Sequence, residues 1–182
     1  MGKEERYKID VISPAGQPIL PKRTKHAFTY QCGVLVRDSI PITIEQWNKK
    51  KDNPSVTFVQ DRQKEDLWSS LLTNFILPPE EDPTTPPVIE PKVKAYALKK
   101  MAELFKNWKK VLNTQFVKKN KTPDFTGIYE KIRDQWPAFV AYKKSEKAKK
   151  TSAQNKLNAA KKQYHHVKGQ VATAKPSLSW KK

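Results

Sequence analysis

Apolar positions along the chain change rhythm at several points. Tyr7-Lys8-Ile9-Asp10-Val11-Ile12 partly alternates and runs into the turn cluster Ser13-Pro14-Ala15-Gly16, with Ile19-Leu20 as a candidate return strand. Phe28, Cys32 and Val36 recur every four residues, which fits a short helix, yet residues 26–37 read equally as strand or helix. Ile40-Pro41-Ile42-Thr43-Ile44 reads as extended, because a proline disfavours helical backbone at the residue before it. Residues 1–60 therefore form an N-terminal extended or mixed region with a short β-hairpin.

The pattern then becomes helical. Leu67, Trp68, Leu71, Leu72, Phe75 and Ile76 predict a helix over 61–77 with Asp61 as its cap, stopped by Pro78-Pro79. Residues 78–91 hold six prolines and four acids, a composition that predicts a linker and a domain boundary. A helical core is predicted over 92–136. Its first helix, 92–118, sets Met101, Leu104, Phe105, Trp108, Val111, Leu112 and Phe116 on one face. Lys99, Lys100, Lys106, Lys109 and Lys110 occupy the other. Thr122-Pro123-Asp124 predicts the start of a second helix carrying Ile128, Ile132 and Trp136.

Pro137 either kinks that helix or opens a new one. No Gly or Pro follows until Gly169, which predicts a basic helix over 137–168 and a disordered tail over 169–182. At about 100° per residue, Phe139, Tyr142, Ala153, Leu157, Ala160 and Tyr164 share an arc of about 60°. Lys143, Lys147, Lys150 and Lys161 gather within about 40° of a neighbouring line, giving a thin apolar seam beside a lysine ridge. Glu146 interrupts the seam, placed to pair with Lys150.

Charge sharpens this picture. The net charge is +18, but residues 1–90 carry 12 basic and 13 acidic side chains, whereas residues 91–182 carry 24 and 5. Segregation of this size points to a polyanionic partner. Of the 24 basic residues only Arg133 is an arginine, which favours point charges on phosphate over bidentate reading of base edges. The candidate DNA-binding residues are Lys143, Lys144, Lys147, Lys149, Lys150, Lys156, Lys161, Lys162, His165, His166 and Lys168. If about six lysines engage phosphates, the log–log salt slope is expected near about −5. Lys149-Lys150 and Lys161-Lys162 also form a thin bipartite nuclear-import pattern, so a nuclear location is expected.

Other chemistries find little footing. One cysteine, Cys32, excludes an internal disulfide and a cysteine-based zinc site, and adjacent His165 and His166 make a poor metal pair, so no metal is expected. No cofactor motif, phosphate-binding loop or nucleophile elbow is present. Glu103, Asp124, Glu130, Asp134 and Glu146 sit on predicted surface helices, where they pair with lysines rather than converge on metal ions, so no catalysis is expected. No run reaches the length of a membrane span, and the Met1–Glu5 start is too charged for a secretory signal.

Several stretches resemble the plant transposase family known as Ptta/En/Spm, from CACTA-type mobile elements. They are Cys32-Gly33-Val34-Leu35-Val36-Arg37-Asp38 with Ile40-Pro41-Ile42, then Lys64-Glu65-Asp66-Leu67-Trp68, then Leu98 through Phe105. The most specific run is Trp136-Pro137-Ala138-Phe139-Val140-Ala141-Tyr142-Lys143, followed by Ser145-Glu146-Lys147-Ala148, Asn155, Asn158, Tyr164-His165-His166 and Gly169. The resemblance implies a nuclear, element-encoded protein that takes part in DNA binding or transposition. The matched motifs include no acidic triad, so the resemblance carries over no catalysis. Where the family has a Ser/Gly-rich stretch this chain reads Gln170-Val171-Ala172-Thr173, and family members continue past Trp180, which implies a shortened copy.

The expected molecule is mainly α, a small helical domain around Trp68, Trp108 and Trp136 with a long basic C-terminal helix. The leading function is non-catalytic contact with the DNA backbone. A helical assembly module, self-associating or joining other element-encoded proteins through the 139–164 seam, is the second reading. RNA binding is the third. Trp68, Trp108 and Trp136 are spaced too irregularly for Myb-like repeats.

Overall fold

The computed structural model describes residues 6–49, 55–80, 84 and 86–161. The chain is mainly α and divides into two units, residues 1–143 and 144–182.

In the first unit, β1 (Tyr7–Lys8) pairs in parallel with β4 (Phe75–Ile76), and β2 (Val11–Ile12) pairs antiparallel with β3 (Pro18–Leu20). The hairpin between β2 and β3 matches the turn chemistry of Ser13-Pro14-Ala15-Gly16. Gly16 adopts φ +80°, and a Cβ there would lie 2.1 Å from the Lys92 carbonyl oxygen, so only glycine fits.

Residues 26–37 are helical, within α1 (Lys22–Ser39), and Phe28, Cys32 and Val36 are its buried stripe. Ile40 is extended, as Pro41 requires, but Pro41–Ile44 turns back on itself through Ile44 N–H to Pro41 O at 3.1 Å and forms no strand.

The helix expected over 61–77 is shorter, α2 (Asp61–Leu72). Its cap is Gln60, whose N–H donates to Gln63 Oε1 at 2.9 Å, while Asp61 pairs with Lys64. Phe75 and Ile76 leave the helix because β1 offers a strand partner and Phe28 offers an edge-on ring at 5.0 Å.

The linker is not a domain boundary. One apolar cluster joins Ile9, Phe28, Leu67, Trp68 and Phe75 to Val93, Ala97, Met101 and Phe105 across it. Glu80 Oε1 accepts from Val88 and Ile89 N–H at 3.0 and 2.8 Å, so an acid within the proline-rich segment caps α3 (Ile89–Gln115). That helix starts three residues before the expected 92, tolerating Pro91 in its first turn.

A second cluster unites Ile42, Trp108, Leu112, Val117, Ile132, Trp136 and Phe139. Trp68 thus belongs to one core, and Trp108 and Trp136 to another. Short 3-10 helices occupy Val117–Lys119 and Gly127–Ile132. The helix expected from Thr122-Pro123-Asp124 does not start there. Phe125 takes φ +55°, turning its ring 6.3 Å from Trp136, and regular backbone resumes only at Gly127. Ile132 is buried as expected, whereas Ile128 is exposed. α4 (Trp136–Lys144) opens with Pro137 in its first turn and closes this core through Phe139.

In the second unit, α5 (Glu146–Ala160) buries no residue. The single helix expected over 137–168 is therefore two helices within the described residues. Ser145, at ψ 153°, leaves helical backbone, and its Oγ accepts from Ala148 N–H at 3.3 Å.

Candidate nucleic-acid interface

Ser145 decides which lysines share a helix. Lys143 precedes it, on α4 in the first unit, and is not on the helix that carries Lys147 and Lys150. Its Nζ lies 5.4 Å from the Phe139 ring centroid and 5.1 Å from that of Tyr142. Burial pushes its pKa down, with Glu45 opposing the shift. Lys143 is thus half-buried against aromatic rings, a poor position from which to meet a phosphate.

Lys144, just before the cap, and Lys147, Lys149, Lys150, Lys156 and Lys161 beyond it are all exposed. Around α5, Lys147, Lys150 and Lys161 fall within about 60° of one another, and Lys149 and Lys156 lie on nearly the opposite side. The helix is cationic around its circumference, not along one ridge. Glu146 pairs with Lys149 at 2.7 Å, one turn away, instead of the expected Lys150. In the first turn it also complements the helix dipole. Lys162, His165, His166 and Lys168 lie outside the described residues, as do Tyr164 and the expected 169–182 tail.

The same division redraws the charge map. Residues 144–182 contain eleven lysines and one acid, a net of +10 in 39 residues. The expected apolar seam is thin: Ala153 and Ala160 are exposed, and Leu157 is 57% exposed.

Lysines of α3 behave differently. Lys109, expected on the solvent side, is 8% exposed. Its Nζ donates to the Ile44 and Glu45 carbonyl oxygens at 2.6 and 2.9 Å and sits 4.2 Å from the Phe105 ring centroid. Burial pushes its pKa down to about 8; Lys143 adds to the shift and Glu45 opposes it. Lys109 follows Phe105 by four residues and precedes Leu112 by three, so helical geometry alone places it at the edge of the buried stripe. Lys100 is half-buried and bonded to Glu103 at 2.7 Å, which raises the lysine pKa and lowers that of the glutamate.

Among the described residues no group of His, Cys, Asp and Glu side chains could hold a metal ion, and no helix is long and apolar enough to cross a membrane. Cys32 is fully buried, and burial pushes its thiol up to about 12. A thiol held protonated in an apolar core is a packing group, not a nucleophile. Comparisons with protein-family models, with curated proteins and with solved structures found no match to this chain.

Proposed function

We propose that this chain is a non-catalytic DNA-binding protein that grips the sugar–phosphate backbone through the lysines of α5 and of the residues after it. The single observation that carries the reading is the state of α5: a lysine-rich helix that buries none of its residues, in a unit with eleven lysines and one acid. A helix that buries no side chain gains nothing from tertiary packing, and at 15 residues it is marginal alone. Phosphates on both sides would neutralise its lysines and release counterions, which supplies affinity without base readout.

The resemblance to the Ptta/En/Spm family supports DNA of a plant mobile element as the target and the nucleus as the place. In such a protein the first unit would present the basic unit, and a separate protein would supply any chemistry. Assembly through α5 is less favoured, because the seam positions on it, Ala153, Leu157 and Ala160, offer little apolar area to a partner helix.

Fluorescence anisotropy with a labelled duplex at low salt tests this reading. Replacing Lys147, Lys149, Lys150 and Lys156 together by Gln should cost at least tenfold in affinity without moving the melting temperature of the first unit. Salt-insensitive self-association with no duplex binding would instead favour the assembly module, and preference for RNA in competition would favour the third class.

A further inference from the structure

The first unit carries a groove that the lysine reading does not use. It runs between one face of α1 and the paired β1 and β4. A cavity of about 480 Å³ at one end is lined by Arg23, His26, Tyr30 and Gln31 from α1 and by Tyr7 and Asn74 opposite. An adjoining cavity of about 390 Å³ shares Tyr7 and Arg23 and adds Arg6 and Lys8. These volumes fall in the range of small-ligand sites.

Helical spacing explains the wall. Arg23, His26 and Tyr30 follow one another at three- and four-residue steps and Gln31 comes directly after, while the buried Thr24, Phe28 and Cys32 form the neighbouring stripe. Tyr30 is 70% exposed, a ring held in water on a rigid helix. Tyr7 is the other ring of the groove; it stacks on Phe75 at 5.6 Å, and the Arg23 guanidinium stands 5.9 Å from its centroid.

Among the described residues, neither cavity is lined by a carboxylate. Arg6 is held in place by donating to the Leu72 and Phe75 carbonyl oxygens at 2.7 and 2.6 Å, and Lys8 keeps a long contact to Asp10 at 3.5 Å. Arg23 makes no ion pair or hydrogen bond to another described residue. The side-chain amides of Gln31 and Asn74 likewise make no hydrogen bond within the described residues, so both keep a donor and an acceptor for a ligand.

We propose that this groove binds a nucleotide unit, an unpaired base with its phosphate. The base would stack on Tyr30 with its edge toward Gln31 and Asn74, and the phosphate would lie at the Arg23 end. Exposed aromatic rings beside cationic side chains are what unpaired bases require, whereas duplex DNA keeps its ring faces stacked. The site stands on its own side chains and does not depend on the α5 lysines. It fits either a base in a single strand or a free nucleotide.

The test uses the full chain, a fluorescein-labelled hexathymidylate, and thymidine monophosphate and inorganic phosphate as competitors. Tyr30→Ala and Arg23→Gln alter exposed side chains, and unchanged thermal unfolding would establish that both variants fold. Each should weaken hexathymidylate binding about tenfold, the scale of one stacked base, and leave duplex affinity unchanged. Thymidine monophosphate should compete where phosphate does not. Competition at the concentration of the hexamer would make the ligand a free nucleotide, and much weaker competition would make it a strand; both support the site. Hexathymidylate binding unchanged in both variants, phosphate competing as well as the nucleotide, or a phosphotyrosine peptide displacing the nucleotide would overturn it. Loss of duplex binding in the α5 glutamine variant, with nucleotide binding retained, separates this proposal from the previous one.

Discussion

Lys109→Met removes the only buried lysine among the described residues while keeping most of the apolar stem. Two contacts disappear, those to the Ile44 and Glu45 carbonyls at 2.6 and 2.9 Å, along with the ring contact to Phe105. A hydrogen bond from a charged donor contributes about 1.5–3 kcal/mol, and the vacated carbonyls would be left in a partly covered loop. Against this, the variant no longer desolvates an ammonium group, which offsets part of the loss. The net expectation is a destabilisation of about 2–3 kcal/mol, or roughly 5–10 °C in melting temperature for a unit of this size.

The pH dependence is more diagnostic. The Lys109 pKa is depressed from 10.5 to about 8, so between those values the unfolded chain binds more protons at this site than the folded one. Wild-type stability should therefore rise with pH across that window, by at most about 1.4 kcal/mol per pH unit. The variant lacks this contribution, and subtracting its curve cancels the ordinary lysines. Urea denaturation of both proteins at pH 8, 9 and 10 checks it. The wild-type advantage should widen with pH; an advantage below about 0.5 kcal/mol, or one flat from pH 8 to 10, would refute the assignment.

Gly16→Ala places a Cβ 2.1 Å from the Lys92 carbonyl oxygen at φ +80°, and chemical denaturation should show a loss of at least about 2 kcal/mol. Cys32 should resist thiol reagents in the native protein at pH 8, because burial holds its pKa near 12, and react fully in denaturant; stoichiometric native labelling would contradict this. Ser145→Ala removes the α5 cap, worth about 1 kcal/mol. Since α5 buries nothing, circular dichroism should lose helical signal while the first unit melts as before.

Much of the fold was legible because it rests on periodic burial. The stripe of α3 and the turn at Gly16 follow directly from the run from Met101 to Leu112 and the Ser13–Gly16 cluster, whereas the spacing of Phe28, Cys32 and Val36 in α1 left strand and helix equally open. Errors arose where a long-range partner outbid local pattern. Phe75 and Ile76 continue the apolar rhythm of α2, yet a strand sixty-eight residues away takes them. The proline-rich segment reads as a boundary, but Glu80 caps α3 and the apolar core closes behind it. Thr122-Pro123 has the composition of a helix start, while the demand of the Phe125 ring for Trp136 sets the local backbone.

At the candidate interface, composition located the charge but not its arrangement. A single ridge from Lys143 to Lys161 requires one continuous helix, and the Ser145-Glu146 pair is a cap signal within it. Lys109 could have been set apart by its place between Phe105 and Leu112. The groove beside Tyr30 was not legible, because it depends on β1 and β4 meeting from sixty-eight residues apart.

The salt dependence of duplex binding probes the central claim most directly. Each lysine that neutralises a phosphate adds about 0.9 to the log–log slope, so four substitutions on α5, Lys147, Lys149, Lys150 and Lys156 to Gln, should flatten it by about 3 to 4 units. Lys109→Met should leave the slope unchanged. A wild-type slope near zero, or one that the α5 substitutions do not alter, would mean that these exposed ammonium groups do not carry the binding.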